Sequence, residues 1–239
     1  MKKIILVLFS LMAMTVAVLA GHSATIKLVD SDPAAVLLLQ SVKKKYDLVS
    51  DYSARARLVT NVIFIKAPVS QVTVYYRKPD QLLVKNEKGI SFIPKGTVHI
   101  NMNNVLGLTN FEAVLSGTEN VDGVQCSVVK IFPLSEEESI TRATLYIDPM
   151  QLLVRRSVVS TKESGTYSIK MKYGSYSWCG LPSEVAMEFN TRDYKLPKGT
   201  TLDYDNGTPK ASGLPQKGKV LIQYQSYTLN KGLPASLFR

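Results

Sequence analysis

The chain has 239 residues, of which 45% are hydrophobic, and its 29 basic and 19 acidic side chains give a formal net charge of +10. The basic residues are scattered rather than gathered into a stripe, which argues against nucleic acid as a partner, although an anionic membrane surface or lipid head group remains compatible. Two cysteines, Cys126 and Cys179, are too few for a disulfide scaffold and lack metal-ligand spacing. Whether they pair stays open.

The start of the chain has the pattern of an export signal over residues 1–20. Two lysines precede a long apolar run, and Val18-Leu19-Ala20 supplies small residues for cleavage, with a competing site near residue 24. An uncleaved membrane anchor, which needs about 20 apolar residues, fits less well. Because His22 stands where a lipid-bearing cysteine would follow Leu19-Ala20-Gly21, we expect a soluble exported protein whose residues 25–239 form one domain.

An amphipathic helix is predicted next. Asp32 can cap it, Pro33 suits its first position, and one face collects apolar residues at helical spacing. These residues are Ala35, Val36, Leu38, Leu39, Val42 and Tyr46.

Alternating apolar and polar residues then predict a series of antiparallel strands. The first is long, at 51–66, and carries Arg55 and Arg57 on its polar side. Between Val121 and Val159, three apolar runs separated by turn residues predict a meander. The remaining predicted strands are 69–78, 81–86, 90–93, 97–101, 165–174, 183–190 and 219–229.

The segment from Met102 to Gly117 interrupts this rhythm. Thr109 and Glu112 have the spacing of a capping box, and Gly117 is placed to end a helix. We therefore predict one short helix here, with Leu106 in its approach. Its apolar face would consist of Phe111, Val114 and Leu115.

Together these elements predict a mainly β fold with two helices and a long loop at 191–217. A sheet of about ten strands curls, and closure removes exposed edges. The expected architecture is an incomplete, half-open antiparallel β-barrel whose helices plug or cover the concave face.

Catalytic patterns are weak, so we expect no enzyme, no cofactor and no metal. His99 is the one histidine within the predicted domain, and Ser41 and Lys44 have the spacing of a serine acylase pair without its companion motifs. Glu136, Glu137 and Glu138 are best explained as a charged loop.

An apolar inner lining is the remaining candidate site, since barrels of this size can hold a small ligand. A packed core has the same sequence pattern, and both interpretations stay open here. The candidate lining residues are Leu58, Val62, Phe64, Val72, Val74, Leu82, Val84, Leu145, Ile147, Tyr167, Ile169 and Met171.

The order of elements resembles the LolA/LolB family of outer-membrane lipoprotein carriers, in its Bacteroidetes-type branch. The resemblance is carried by Tyr76-Arg77-Lys78-Pro79-Asp80, by Asp148-Pro149 and by the tail from Asn230 to Phe238. It implies a soluble, monomeric carrier in the periplasm that binds lipoprotein acyl chains or other lipids, takes them from an inner-membrane release complex and delivers them to an outer-membrane acceptor. In this resemblance Leu106, Phe111, Val114 and Leu115 belong to the lid.

One departure concerns the control of that lid. The family carrier has an arginine shortly after the strand-entry proline, whereas Leu82 and Leu83 occupy the matching region here. Arg55, Arg57 or Arg77 are the candidates for a substitute polar gate. The same fold also implies an alternative, a periplasmic lipid sensor that binds an inner-membrane partner of the anti-sigma-factor type.

Overall fold

The computed structural model describes residues 31–62, 65–66, 69–88, 102–163, 165–190 and 217–238. Within them lie the helices α1 (Pro33–Tyr46) and α2 (Met102–Leu106). The strands are β1 (Asp51–Val62), β2 (Ile65–Lys66), β3 (Ser70–Arg77), β4 (Gln81–Lys88), β5 (Phe111–Val121), β6 (Val124–Pro133), β7 (Ile140–Asp148), β8 (Leu153–Thr161), β9 (Gly165–Tyr173), β10 (Pro182–Asn190) and β11 (Lys217–Leu229). Two short 3-10 segments are Ser177–Cys179 and Ala235–Phe238. The predicted signal at 1–20, the strands at 90–93 and 97–101, Phe64, His99 and the loop at 191–216 lie outside the described residues.

The first helix forms as its sequence predicts. The side chain of Asp32 caps it by accepting a hydrogen bond from Ala34 N at 2.8 Å, and Pro33 opens the first turn. The buried residues Ala35, Leu39, Val42 and Tyr46 recur at helical spacing and form one stripe. That stripe packs into the same core as the sheet.

The strands form one antiparallel sheet with the order β4-β3-β1-β11-β10-β9-β8-β7-β6-β5, and β2 pairs only with β1. β4 and β5 are the two end strands, and no pairing joins them within the described residues. The predicted open antiparallel half-barrel is therefore confirmed. The first and last strands, β1 and β11, are neighbours near the middle of the sheet.

Two predictions about individual elements were wrong. The apolar alternation over 51–66 belongs to two strands rather than one, because β1 ends at Val62 and β2 runs back antiparallel to it. Residues 111–117 begin the strand β5, and the helix in this region stops at Leu106. Pairing with β6 outweighs the capping-box pattern, since it runs from Phe111 to Val121 with one irregularity after Leu115 and satisfies backbone groups on that side of the strand.

The Asp122-Gly123 turn indicates a strand before it, which the helix prediction for residues 109–117 did not take into account. Both residues have positive φ, 50° and 88°, as a two-residue type I′ hairpin requires. Such a turn needs a strand on each side, and the strand before it is β5. The predicted meander, β6 to β8, is therefore confirmed but has one more strand at its start.

The main core lies on the concave face, where α1 and α2 pack. Register places Leu58 opposite Ile222, Val185 opposite Met171, and Leu145 opposite Val129, so one face of each strand contributes apolar side chains. The core continues under α2 through Met102, Val105 and Leu106. Together the helices cover the hollow of the sheet and define the candidate site.

Candidate ligand-binding cavity

The space between the helices and the concave face is not completely filled. A cavity of about 130 Å³, called the main cavity below, lies between α1, α2 and the sheet. Its described lining residues are Tyr46, Tyr52, Leu82, Met102, Asn103, Ile169, Met171, Gly180, Leu181, Pro182, Val185, Met187, Val220, Ile222 and Tyr224.

No charged side chain is present among these lining residues. The polar groups are Asn103 and the phenols of Tyr46, Tyr52 and Tyr224. Burial raises the pKa of Tyr46 and of Tyr224 to about 12, so both phenols are neutral at physiological pH. The wall suits an alkyl chain and offers no group poised for acid–base chemistry near neutral pH.

A cluster of tyrosines forms one end of the main cavity. Tyr52 packs against Tyr227 with ring centroids 5.4 Å apart, and Tyr224 stacks on Tyr227 at 5.0 Å. Tyr227 donates a hydrogen bond to the carbonyl oxygen of Pro182 at 2.8 Å. These contacts make an aromatic wall in which the hydroxyl of Tyr227 has a hydrogen-bond partner.

The end of α1 is held against this wall by a pair of phenols. The Tyr173 hydroxyl lies 2.8 Å from the Tyr46 hydroxyl and donates to the carbonyl oxygen of Val154 at 2.7 Å. Because the single Tyr173 proton goes to that carbonyl, Tyr46 donates to Tyr173. Gly180, with φ of 75°, makes room for the Tyr46 ring, since a Cβ there would lie 2.8 Å from Tyr46 Cδ2.

The other end of α1 is attached to the sheet edge. The backbone nitrogen of Asp32 donates to Ala113 O at 2.8 Å, and Ala113 N donates to Ser31 Oγ at 3.1 Å. A second cavity of about 170 Å³ lies here, and Leu106, Phe111 and Ile131 contribute to its wall. Helix α1 thus spans the hollow between two sets of polar contacts.

The residues predicted to form a lid occupy different elements. Leu106 is buried in α2, but Phe111, Val114 and Leu115 belong to β5 and cannot move as part of a helix. Strand alternation puts Phe111 and Leu115 on the face shared with Val129, and Val114 on the other. The covering helices are α1 and α2.

Ten of the twelve predicted lining residues lie on one face of the sheet by register. Leu82, Ile169 and Met171 line the main cavity. The others are packed in the core around it: Leu58, Val72, Val74, Val84, Leu145, Ile147 and Tyr167. Val62 ends β1, and Phe64 lies outside the described residues.

The main contributors that sequence reasoning missed are on β10 and β11. Val185, Met187, Val220 and Ile222 face the cavity. Their alternating pattern is visible in the sequence, but only the strand order puts β10 and β11 between β9 and β1.

The arginines proposed as a gate are not at the cavity. The neighbours of Arg55 in β1, Ala54 and Ala56, point inward. Because side chains alternate along a strand, Arg55 and Arg57 project from the convex face, where both are exposed. The half-buried Arg77 donates from Nη1 to the carbonyl oxygen of Leu233 at 3.2 Å and binds the C-terminal segment. None of the three closes the helices over the hollow.

The other candidate side chains singled out in the sequence are not among the described lining residues of the main cavity. Ser41 Oγ, on α1, donates to Leu37 O at 2.8 Å, and Glu136 and Glu137 are exposed between β6 and β7. Both cysteines are buried free thiols. Within the described ranges, no three metal-binding side chains form a group, and no helix has the length and apolar character of a membrane span.

Comparison with solved structures assigns the fold. A putative outer-membrane lipoprotein-sorting protein domain from Vibrio parahaemolyticus aligns over 86% of this chain and 96% of its own, with a TM-score of 0.57 and 8% identity. A LolA superfamily protein from Nitrosomonas europaea aligns over 84% and 97%, with a TM-score of 0.52 and 12% identity. The fold is LolA-like.

A third structure extends the comparison. A DUF1329 family protein from Desulfovibrio piger aligns over 88% of this chain and 98% of its own, with a TM-score of 0.53 and 14% identity. No protein-family model and no curated protein sequence matches the chain. The LolA-like fold is therefore recognised through its three-dimensional arrangement.

Proposed function

We propose that this protein is a periplasmic carrier that shields lipid acyl chains, including those of lipoproteins, on their way to the outer membrane. The observation that carries the proposal is the uncharged main cavity, which lies between the concave face of the sheet and the two helices that pack on it. The likeness in fold to a structure described as a lipoprotein-sorting domain supports the same role.

In the proposed scheme this structure is the closed form of the carrier. A volume of about 130 Å³ is smaller than ligand pockets of roughly 300–1,000 Å³, so an acyl chain enters only if a helix is displaced. Each methylene transferred from water to such a wall contributes about 0.8 kcal/mol. In the proposed scheme this free energy of a long chain offsets the loss of contacts between one helix and the sheet.

The proposed carrier cycle follows from this balance. The empty protein keeps α1 and α2 on the concave face, and cargo replaces part of that apolar contact. An inner-membrane release complex would supply the cargo, and an outer-membrane acceptor would remove it. Neither step requires a catalytic group.

Native mass spectrometry with solvent extraction tests this proposal. Protein purified without detergent should carry, or take up, apolar ligands that extraction releases. Ile222→Trp should reduce loading because Ile222 lines the main cavity. The matched control is Leu221→Trp, at the adjacent half-buried position on the opposite face of β11.

Thermal unfolding of both variants checks that they remain folded. Loading of the wild type and of Leu221→Trp, with loss in Ile222→Trp, is the expected result. If the folded wild type neither co-purifies with lipid nor takes it up, the carrier function is refuted.

A further inference from the structure

Three large apolar side chains are exposed at one end of the fold. Met150, in the turn between β7 and β8, is 90% exposed, Trp178, in the 3-10 segment before β10, is 56% exposed, and Leu48, after α1, is 52% exposed. They come from three separate connections. A soluble surface has isolated apolar residues, but several large ones gathered at one end indicate an interaction site.

Contacts with the last turn of α1 bring these three connections together. Lys45 Nζ donates to the carbonyl oxygen of Gln151, next to Met150, at 2.6 Å. Tyr46 packs on Gly180, two residues after Trp178. Leu48 N donates to Lys45 O at 3.3 Å. Each exposed apolar residue is thus within three positions of a direct contact with Lys45 or Tyr46.

The same end carries an excess of lysines. The last turn of α1 contains Lys43, Lys44 and Lys45. Lys78 binds Asp47 at 2.9 Å. Lys231 follows Asn230, whose side-chain amide donates to the carbonyl oxygen of Leu48. This end of the molecule, formed by Leu48, Met150, Trp178 and the five lysines, is called the docking end below.

The carboxylates of the docking end leave it positive. Asp47 and Asp80 are exposed. Asp51 and Asp148 are buried, and their oxygens accept hydrogen bonds from Lys231 N and from Arg155, respectively. Other ion pairs nearby, those of Lys172 with Glu184 and of Lys170 with the exposed Asp122, are neutral as pairs. Lys43 and Lys78 both contact Asp47, so the five lysines are opposed by Asp47 and Asp80 and an excess of positive charge remains.

We propose that the docking end binds the surface of an anionic lipid bilayer. Tryptophan, methionine and leucine side chains on protruding turns suit the boundary between head groups and acyl chains, and lysines beside them suit negatively charged head groups. An acidic protein surface would match the lysines but would leave Met150 and Trp178 without an apolar environment. The combination favours a membrane.

The docking end also adjoins the main cavity. Tyr46 lines that cavity, and so do Gly180, Leu181 and Pro182, which follow Trp178 closely in the chain. The biological role of this binding rests on the proposed carrier function, because membrane binding at the docking end would place the cavity beside a bilayer that supplies or receives cargo. Binding itself does not require a loaded cavity.

Fluorescence of the full chain provides a direct measurement, because Trp178 is the single tryptophan. Protein is titrated with vesicles of phosphatidylcholine alone or of equal parts phosphatidylcholine and phosphatidylglycerol. We expect a blue shift of the emission with the anionic vesicles, weakened by added salt, and little change with the neutral ones. The absence of a shift with anionic vesicles would overturn the proposal.

Charge variants keep the fluorescent probe and test the role of the lysines. Lys44→Gln should lower the vesicle partition coefficient about fivefold, the equivalent of ~1 kcal/mol. Lys162→Gln is the matched control, since this exposed lysine lies at the β8–β9 turn, at the opposite end of β8 from Met150. Equal losses in the two variants would contradict the assignment of the docking end.

An apolar variant and two further outcomes separate the alternatives. Met150→Gln, at a 90% exposed position, should lower binding severalfold without loss of thermal stability.

A blue shift that depends on protein concentration and not on vesicles would instead indicate a second copy of the chain, and would overturn the proposal. Extractable lipid without vesicle binding would refute the docking end alone, and vesicle binding without a loadable cavity would refute the carrier alone.

Discussion

Tyr46 and Tyr173 make a hydrogen-bonded pair whose direction predicts unequal effects of two similar substitutions. Tyr46 donates to Tyr173, and Tyr173 donates to Val154 O. Tyr46→Phe removes a donor and leaves the Tyr173 hydroxyl with its bond to the carbonyl. Tyr173→Phe leaves the Tyr46 hydroxyl and the Val154 carbonyl without their common partner.

The free energies follow from the number of buried groups that lose a partner. Tyr46→Phe should lower the free energy of unfolding by about 1 kcal/mol, the net value of one hydrogen bond. Tyr173→Phe should cost roughly 2–3 kcal/mol, because two polar groups are left unsatisfied at a site where Tyr46 is only 8% exposed. The double variant should cost less than the sum of the two single ones, since removal of both hydroxyls leaves only the carbonyl.

Urea denaturation of the three variants measures these differences. Tyr75→Phe, at a half-buried position of β3 with the opposite orientation to Tyr76, serves as the control for loss of a phenol hydroxyl. Equal costs for Tyr46→Phe and Tyr173→Phe, or a larger cost for Tyr46→Phe, would refute the assigned direction. The same variants should release a bound fluorescent fatty acid faster than the wild type if displacement of α1 opens the main cavity.

Two further predictions concern the close contact at Gly180 and the part-buried ion pair between Asp148 of β7 and Arg155 of β8. Gly180→Ala should lower the melting temperature by more than Gly232→Ala. Both glycines have φ of 75°, which costs an alanine about 1–2 kcal/mol. Of the two positions, only 180 would also bring a Cβ against the Tyr46 ring. Equal shifts would show that the ring moves aside freely. Burial by itself raises the pKa of Asp148, but hydrogen bonds from Arg155 and two backbone amides outweigh this and hold the pKa below its ordinary value. The ionised form therefore stabilises the fold above about pH 3.9, and that contribution is lost as pH falls through the lower folded-state pKa. Asp148→Asn should cost roughly 1.5–3 kcal/mol at neutral pH, the range for hydrogen bonds to a charged group, because the part-buried Arg155 loses its carboxylate partner, and urea denaturation should show the gap to the wild type narrowing in acid. A gap that is constant with pH would contradict this.

The sequence predicted those elements whose signals are local. Asp32, Pro33 and the apolar stripe from Ala35 to Tyr46 lie within one helix, and the capped helix α1 is present as expected. The same holds for the strands from β6 to β9, whose alternation and turn residues each fall within about ten positions.

The regions where prediction failed depend on contacts between distant residues. A capping-box pattern at Thr109 and Glu112 competes with a strand that exists because β6 pairs with it. Residues 51–66 alternate continuously, so the pattern cannot show that the chain reverses after Val62. In both places the local signal is compatible with two structures, and pairing decides between them.

The sequence by itself determined the mainly β composition, the first helix and which residues face inward along most strands, because side-chain periodicity is a property of each segment. Only the tertiary structure decided the strand order that puts β10 and β11 in the cavity wall, the position of the unfilled space within the core, and the contacts of Tyr46 with Tyr173 and Gly180. Apolar alternation requires that a face be buried but does not specify the neighbour that buries it. That choice is made by backbone pairing and packing between residues far apart in the chain, as in the contact of Tyr46 with Tyr173, 127 positions away.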